Sequence, residues 1–299
     1  MGDAQRTGVQ ERAVSEVAVR SATPPPAREL LAPTRVFRDL WRHRGLLARF
    51  TAREVHRQYR ATSLGMAWAG VQPILLFAVY AFVFTQIFPS RWERPGGTNK
   101  TAEVALLFFL GFVIFRFAAE AANDAPNLVI NKRAIVQRVV FPLEVLPAAA
   151  LGKHLLVLGI GLALVLIGSV AFGVGLRPTA LLVVPVLIPL ILLTLGVVYA
   201  LSALGVYLRD LGQGVGVVTR MLLFLTPVFY PLDRVPEGAR PLIELNPLTG
   251  VVMDARRTVL LGRTPDWASL GLLGAVSVVV LISGYALFLK AKRGFSDVL

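Results

Sequence analysis

The sequence predicts an all-α polytopic membrane protein with six transmembrane helices. It adds an N-terminal amphipathic interface helix, and short re-entrant external helices between spans five and six. Three observations lead there. Of 299 residues, 55% are hydrophobic and only 16% are charged, a balance outside the usual range of soluble domains. The apolar residues gather in six runs, near residues 66–88, 104–122, 145–174, 181–208, 214–232 and 268–289. The cations are distributed unevenly around those runs, which sets an orientation.

The first 33 residues are polar, Arg-dotted and proline-rich, with Pro24, Pro25, Pro26 and Pro33, and contain no apolar core of the kind a signal sequence needs. They bury too little to offset the entropy of ordering, so residues 1–33 read as a disordered cytoplasmic tail. Residues 34–65 follow as an amphipathic interface helix. Val36, Phe37, Leu40, Trp41 and Leu47 recur at helical spacing, with Arg38, Arg42, Arg44 and Arg49 between them. A soluble helix packed on a partner would show the same pattern. Residues 66–299 form the six-helix transmembrane domain.

Each of the six runs can cross roughly 30 Å of hydrocarbon at about 1.5 Å per residue, and backbone amides in lipid must pair within the segment. Pro185, Pro189 and Pro227 lie inside apolar runs and are expected to kink or interrupt them. With both termini in the cytoplasm, 20 Lys and Arg fall on the cytoplasmic side. Nine fall outside, Arg256 among them, and Arg116 and Lys153 lie within runs. Residues 233–267, with prolines at 236, 241, 247 and 265, carry apolar pieces too short to cross a bilayer and are expected to re-enter or lie on its external face.

Between the second and third runs stands NKRAIVQRVVFPLEVLP, residues 131–147, a compact basic break in apolar surroundings. Its cations satisfy the positive-inside rule and could simply touch lipid phosphates. The chain has no phosphate-binding loop: GQGVG at 212–216 lacks the Lys-Ser/Thr that would hold phosphates and magnesium, and is suited instead to close helix packing. His43, His56 and His154 lack metal-ligand spacing, and there are no cysteines, so neither a metal site nor a disulfide framework is expected. The formal charge of +13 is explained by membrane orientation, so nucleic acid is not expected as a partner.

Three segments carry a family resemblance. Residues 53–73 hold Tyr59-Arg60, Leu64-Gly65, Trp68 and Gln72-Pro73; the basic break holds Asn131, Lys132, Phe141-Pro142 and Leu146-Pro147; residues 207–256 hold YLRDL, TPVFYPLDRVPE, NPLT and Arg256. Together they resemble the permease subunit of type-2 ABC exporters, in the branch that exports lipid-linked polysaccharides such as O-antigen, teichoic acid and galactan precursors. The family often has Asp where Glu54 stands, Arg where Gln58 stands, and Trp where Phe115 stands.

The resemblance implies a bacterial plasma (inner) membrane location and a second copy of the chain. It also implies two separate ATPase subunits that bind ATP and Mg, so this chain would be a permease and not itself an enzyme. It makes the basic break a cytoplasmic ATPase-coupling loop of Asn131, Lys132, Arg133, Arg138, Phe141 and Pro142, with a short helix over 129–140 whose cations face the ATPase. Pro142 would end that helix.

A lipid-linked glycan would also need cations for its headgroup, and Arg57, Arg60, Arg116 and Lys153 are the candidates. Lys153 could equally snorkel to lipid headgroups. Tyr80, Phe84, Phe224, Phe229 and Tyr230 could line a conduit, since flat rings suit the apolar sides of sugars; packing and interfacial belts are the alternative. An exporter of small hydrophobic drugs or lipids would share this architecture. A membrane-embedded enzyme or a channel is disfavoured by the lack of any acid, base, nucleophile, metal cluster or filter motif.

Overall fold

A computed structural model describes residues 33–59, 63–83, 100–134 and 141–298. Among the described residues the fold is helical throughout, without strands. Two helices, α1 (Pro33–Arg42) and α2 (Arg44–Tyr59), occupy the amphipathic stretch expected as one helix. They are followed by α3 (Trp68–Phe82), α4 (Lys100–Asp124), α5 (Val145–Ala171), α6 (Val183–Tyr207) and α7 (Leu211–Leu225). Residues 233–267 contribute α8 (Arg240–Glu244) and α9 (Pro247–Val259). The chain closes with α10 (Trp267–Ala291) and the short α11 (Phe295–Val298).

Four of these segments are long and apolar enough to cross a membrane: Ala102–Asn127, Val145–Ala171, Pro178–Tyr207 and Trp267–Gly294. The helices in the first and fifth apolar runs, α3 and α7, have 15 residues each. At about 1.5 Å per residue α7 reaches about 22 Å, short of the hydrocarbon thickness. The first run extends beyond α3 into residues outside the described set. The fifth ends early because Pro227 disfavours helix at Thr226, which is extended (ψ 133°). Of the prolines expected to kink or interrupt helices, only Pro227 stands at a break. Pro185 sits in the first turn of α6, where a missing N–H costs nothing, and α6 runs on through Pro189.

The centre of the fold is the α6–α10 pair. The two helices approach so closely that a methyl group on Gly284 would overlap the carbonyl oxygen of Gly196, and one on Gly196 would lie 2.7 Å from the Leu281 Cα. Lipid offers no hydrophobic drive for helix association, so close backbone packing at small residues supplies it. Gly284→Val is therefore expected to force α6 and α10 apart and cost about 3 kcal/mol or more. Thermal unfolding in detergent checks this, and an unchanged midpoint would mean the crossing can widen freely.

The predicted apolar stripe of the N-terminal helix divides. Val36 is fully buried and Leu40 and Leu47 pack on the core, whereas Phe37 and Trp41 are exposed, the latter by 72%. The Arg44 guanidinium lies 5.3 Å from the Trp41 ring. Asp39 accepts a 2.6 Å hydrogen bond from the Tyr285 hydroxyl, which ties α1 to α10. Tyr199 and Tyr285 meet edge to face at 5.0 Å, and Tyr199 donates to the Glu144 carbonyl at 2.7 Å. Lys292 pairs with the Glu144 carboxylate at 2.7 Å. The exit of the basic break is thereby fastened to the ends of α6 and α10.

Candidate coupling and substrate site

The basic break is built onto α2. A turn of 3₁₀ helix, Ile130–Lys132, follows the end of α4, and Phe141–Glu144 lead into α5. Lys132 does not turn outward as the sequence suggests. Its ammonium lies 2.6 Å from Glu54 Oε1 on α2, with side chains 9% and 13% exposed. At the other end Phe141 packs on Phe50 of α2, ring centroids 5.0 Å apart. The α2 helix is itself held on α5, where Thr51 donates to the Ala149 carbonyl at 3.3 Å. Asn131 and Arg133 are exposed. Arg138 lies outside the described residues, as does the second half of the helix expected over 129–140.

The cations proposed for a headgroup separate into two places. Arg57 and Lys153 line one polar cavity of about 330 Å³, together with Glu54, Asp124 and Lys132. Arg116 lies elsewhere, among Pro73, Phe112 and Phe117. Arg60 is outside the described residues. A row of charges links the two places. Arg116 donates to Glu120 at 2.6 Å. His154, nearly buried, has Nδ1 3.7 Å from Glu120 and Nε2 3.1 Å from Asp124. Lys153 donates to Asp124 at 2.6 Å.

Glu120 and Asp124 escaped the sequence reading. Their signal was present: Arg116, Glu120 and Asp124 recur every four residues, and that spacing puts them on one helix face. Lys153 is accordingly an ion-paired part of the wall of a polar cavity.

The proposed conduit aromatics also divide. Tyr80 lies 4.8 Å from Phe112 and 5.8 Å from Phe229, so α3, α4 and the segment after α7 share one aromatic cluster. Phe112 was not anticipated. Phe224 stands apart, 72% exposed on α7. Tyr230 donates to the Phe224 carbonyl at 2.8 Å, an arrangement that closes the chain break after α7. Phe84 lies outside the described residues.

The motif NPLT at 246–249 has a local structural cause. Asn246 caps α9 by accepting from the Leu248 N–H at 3.0 Å, and its amide donates to Thr226 Oγ1 at 2.8 Å. Pro247 occupies the first helical turn, and Thr249 donates to the Ile243 carbonyl at 2.6 Å. Arg256, counted from sequence as an external cation, is 2% exposed. It donates to the carbonyls of Leu107 at 3.0 Å, Pro227 at 2.7 Å and Val228 at 2.7 Å. A methyl group on Gly111 would sit 2.8 Å from its Nη2, so the glycine leaves room for the guanidinium.

Among the described residues there is no group of three or more His, Asp or Glu side chains that could hold a metal. The arrangement supplies cations fastened by carboxylates and, in Asn131 and Arg133, exposed residues of the basic break.

Known proteins resemble this chain over most of its length. The O-antigen export system permease protein RfbA of Myxococcus xanthus is 29% identical over 265 residues, covering 88% of this chain and 98% of that protein. A protein of the same name from Klebsiella pneumoniae is 26% identical over 261 residues, covering 85% and 95%. The polysialic acid transport protein KpsM of Escherichia coli is 22% identical over 243 residues, covering 79% and 89%. Residues 46–259 match the ABC-2 type transporter family, and the chain therefore belongs to that family of integral membrane transporter subunits.

Proposed function

We propose that this chain is the membrane subunit of an ABC exporter that moves a lipid-linked polysaccharide outward across the plasma membrane of a bacterium. A second copy completes the pathway, and two separate ATPase chains, which bind ATP and Mg, drive it. The observation that carries the reading is the likeness to the Myxococcus xanthus O-antigen permease over 98% of that protein's length. The chain's own lack of a nucleotide-binding motif means that energy enters from outside.

Residues 131–142 are where we place that entry. The segment is braced on α2 at both ends while Asn131 and Arg133 stay exposed for a partner. Both termini lie in the cytoplasm in this reading, six segments cross the bilayer, and α8 and α9 lie on or re-enter its external face. Phe37 and Trp41 rest in the cytoplasmic interface, where amphipathic rings are favoured. Arg57 and Lys153 meet the anionic headgroup, and the Tyr80–Phe112–Phe229 cluster faces sugar. An apolar groove of about 240 Å³ between α4, α6 and α7 favours, as a second reading, a small hydrophobic substrate.

Purification of the tagged chain from its native membrane should recover an ATP-hydrolysing partner in equal amount. Proteoliposomes of that complex should move a lipid-linked glycan only with ATP. Arg133→Glu should lower recovery of the ATPase several-fold by reversing charge at an exposed docking residue. Recovery without an ATPase, or transport of small apolar compounds with none of glycan, overturns the proposal.

A further inference from the structure

Three arginines meet at the end of the molecule where α6 and α10 begin. The two helices run parallel, since Pro189 faces Gly274 near their starts and the Tyr207 hydroxyl donates to the Ala291 carbonyl at 2.8 Å near their ends. Their apolar segments open at Pro178 and Trp267, so both leave the membrane at this end. Arg177 directly precedes the first segment and Arg263 shortly precedes the second.

The link from α9 to α10 turns at Gly262, whose φ of 65° is left-handed and suits glycine. Beyond it the Arg263 N–H returns to the Arg257 carbonyl at 2.9 Å. A methyl group on Gly262 would sit 2.6 Å from the Arg177 Cδ and 3.1 Å from its Nη1, so the Arg177 side chain lies across this turn. Thr179 donates to the Thr258 carbonyl at 2.7 Å and holds the approach to α6 against the end of α9.

The carboxylates nearby are already engaged. Asp254 takes the Arg257 guanidinium at 3.1 Å and the Asp266 N–H at 3.1 Å. Asp266 caps α10, accepting from the N–H groups of Ala268 and Ser269 and from the Ser269 hydroxyl. Arg177 and Arg263 are exposed, and neither has a carboxylate partner among the described residues. Three arginines against two aspartates leave a net positive charge, and an anion can reach it at the two exposed guanidinium groups.

Next to this charge the surface is apolar. Leu181, Val184 and Ile188 form one exposed row along the α6 segment, and Leu272, Val276 and Val279 form another on α10. Steps of three and four residues keep each row on one helix face. Trp267, 55% exposed, stands where an indole is favoured between hydrocarbon and headgroups. Guanidinium groups at the head of two apolar rows match a molecule with a phosphate at one end and hydrocarbon at the other. Arginine binds phosphate through two parallel N–H donors, and a cation at the membrane surface draws anionic lipid. An acidic soluble ligand would use the arginines and leave both rows and Trp267 without a role.

We propose that Arg177 and Arg263 form a binding site for an anionic glycerophospholipid whose acyl chains lie along the exposed rows of α6 and α10. Such a site requires only that α6 and α10 cross the membrane, whatever the orientation or the cargo. The bound phosphate joins two segments distant in sequence, the approach to α6 and the link from α9 to α10. It thereby secures α9 on the α6–α10 pair.

The test uses the full-length chain, purified in detergent and washed free of native lipid. Palmitoyl-oleoyl phosphatidylglycerol and the phosphatidylcholine with the same chains are titrated and followed by native mass spectrometry and thermal unfolding. Phosphatidylglycerol is expected to bind at least tenfold more tightly and to raise the unfolding midpoint. Arg177→Gln and Arg263→Gln should each weaken it about fivefold, and together about thirtyfold, with phosphatidylcholine little affected. Arg177→Lys with Arg263→Lys keeps the charge and should retain most of the preference. Arg38→Gln with Arg42→Gln, on α1, should leave it unchanged.

Equal affinity for the two lipids, or undiminished phosphatidylglycerol binding in the Arg177→Gln, Arg263→Gln double variant, overturns the proposal. Glycerol phosphate, a headgroup without chains, should bind at least tenfold more weakly than the lipid. Equal binding would make a soluble anion the occupant and overturn the lipid assignment.

Discussion

Arg256→Met is expected to be among the most destabilising single substitutions in this protein. The side chain is 2% exposed and donates to three backbone carbonyls, those of Leu107, Pro227 and Val228. The last two belong to the break after α7, where Pro227 brings no N–H and the chain has left the helix. Methionine fills similar volume but leaves these acceptors unsatisfied, at about 1–3 kcal/mol each. Partial relaxation and access of water would bring the total to about 3–5 kcal/mol.

Arg256→Lys should recover only part of the loss, since one ammonium cannot reproduce the directions of a planar guanidinium. Thermal unfolding in detergent should show a lower midpoint for both variants, with methionine the worse. Equal stability of the methionine variant and wild type would mean that the carbonyls already have other partners.

The second large effect falls on coupling. Lys132→Glu or Glu54→Lys alone would set two like charges a few ångströms apart, at side chains only 9% and 13% exposed in the native pair. At an effective dielectric near 20 the repulsion is about 4 kcal/mol before relaxation. Either single reversal is expected to release the Lys132 end of the basic break from α2 and reduce export-coupled ATP turnover by tenfold or more, about 1.4 kcal/mol per tenfold. The double reversal restores the pair in mirror image and should recover most of the turnover. A double-mutant cycle on reconstituted complex measures that coupling. Failure of the double reversal would mean that Lys132 works by touching the ATPase, as the sequence alone suggests.

Much of the architecture was legible because hydrocarbon imposes strict rules on a chain. Long apolar runs, the break at Pro227, the short helices in 233–267 and the basic segment before α5 each follow from hydropathy, proline chemistry or charge. The finer boundaries did not. Sequence could not show that α7 has only 15 helical residues, nor that α6 continues through Pro189. Periodicity marks which residues are apolar, but not which neighbour a given face meets. That is why the stripe on α1 and α2 read as one membrane face, although Val36 lies in the core and Phe37 and Trp41 point away from it.

The site was legible in its residue types and illegible in its pairings. Lys132 and Arg133 are adjacent and look equivalent in sequence, yet one is paired with Glu54 and the other is exposed. Arg57, Arg116 and Lys153 form one list of cations in sequence and occupy two places in the fold. Glu54 and Lys132 lie 78 positions apart and Arg256 and Leu107 149 apart, so no local pattern announces either contact.

The amino-acid sequence by itself determined that the chain lives in a membrane, has a basic segment between two apolar runs and carries no nucleotide-binding motif of its own. These are consequences of transfer free energy and of local spacing, which act on each segment alone. The tertiary structure decided which cations are held by carboxylates, which three carbonyls Arg256 satisfies and which aromatic rings meet. Those outcomes depend on close packing between helices distant in sequence, where a single methyl group at Gly284 or Gly111 would decide whether the contact forms.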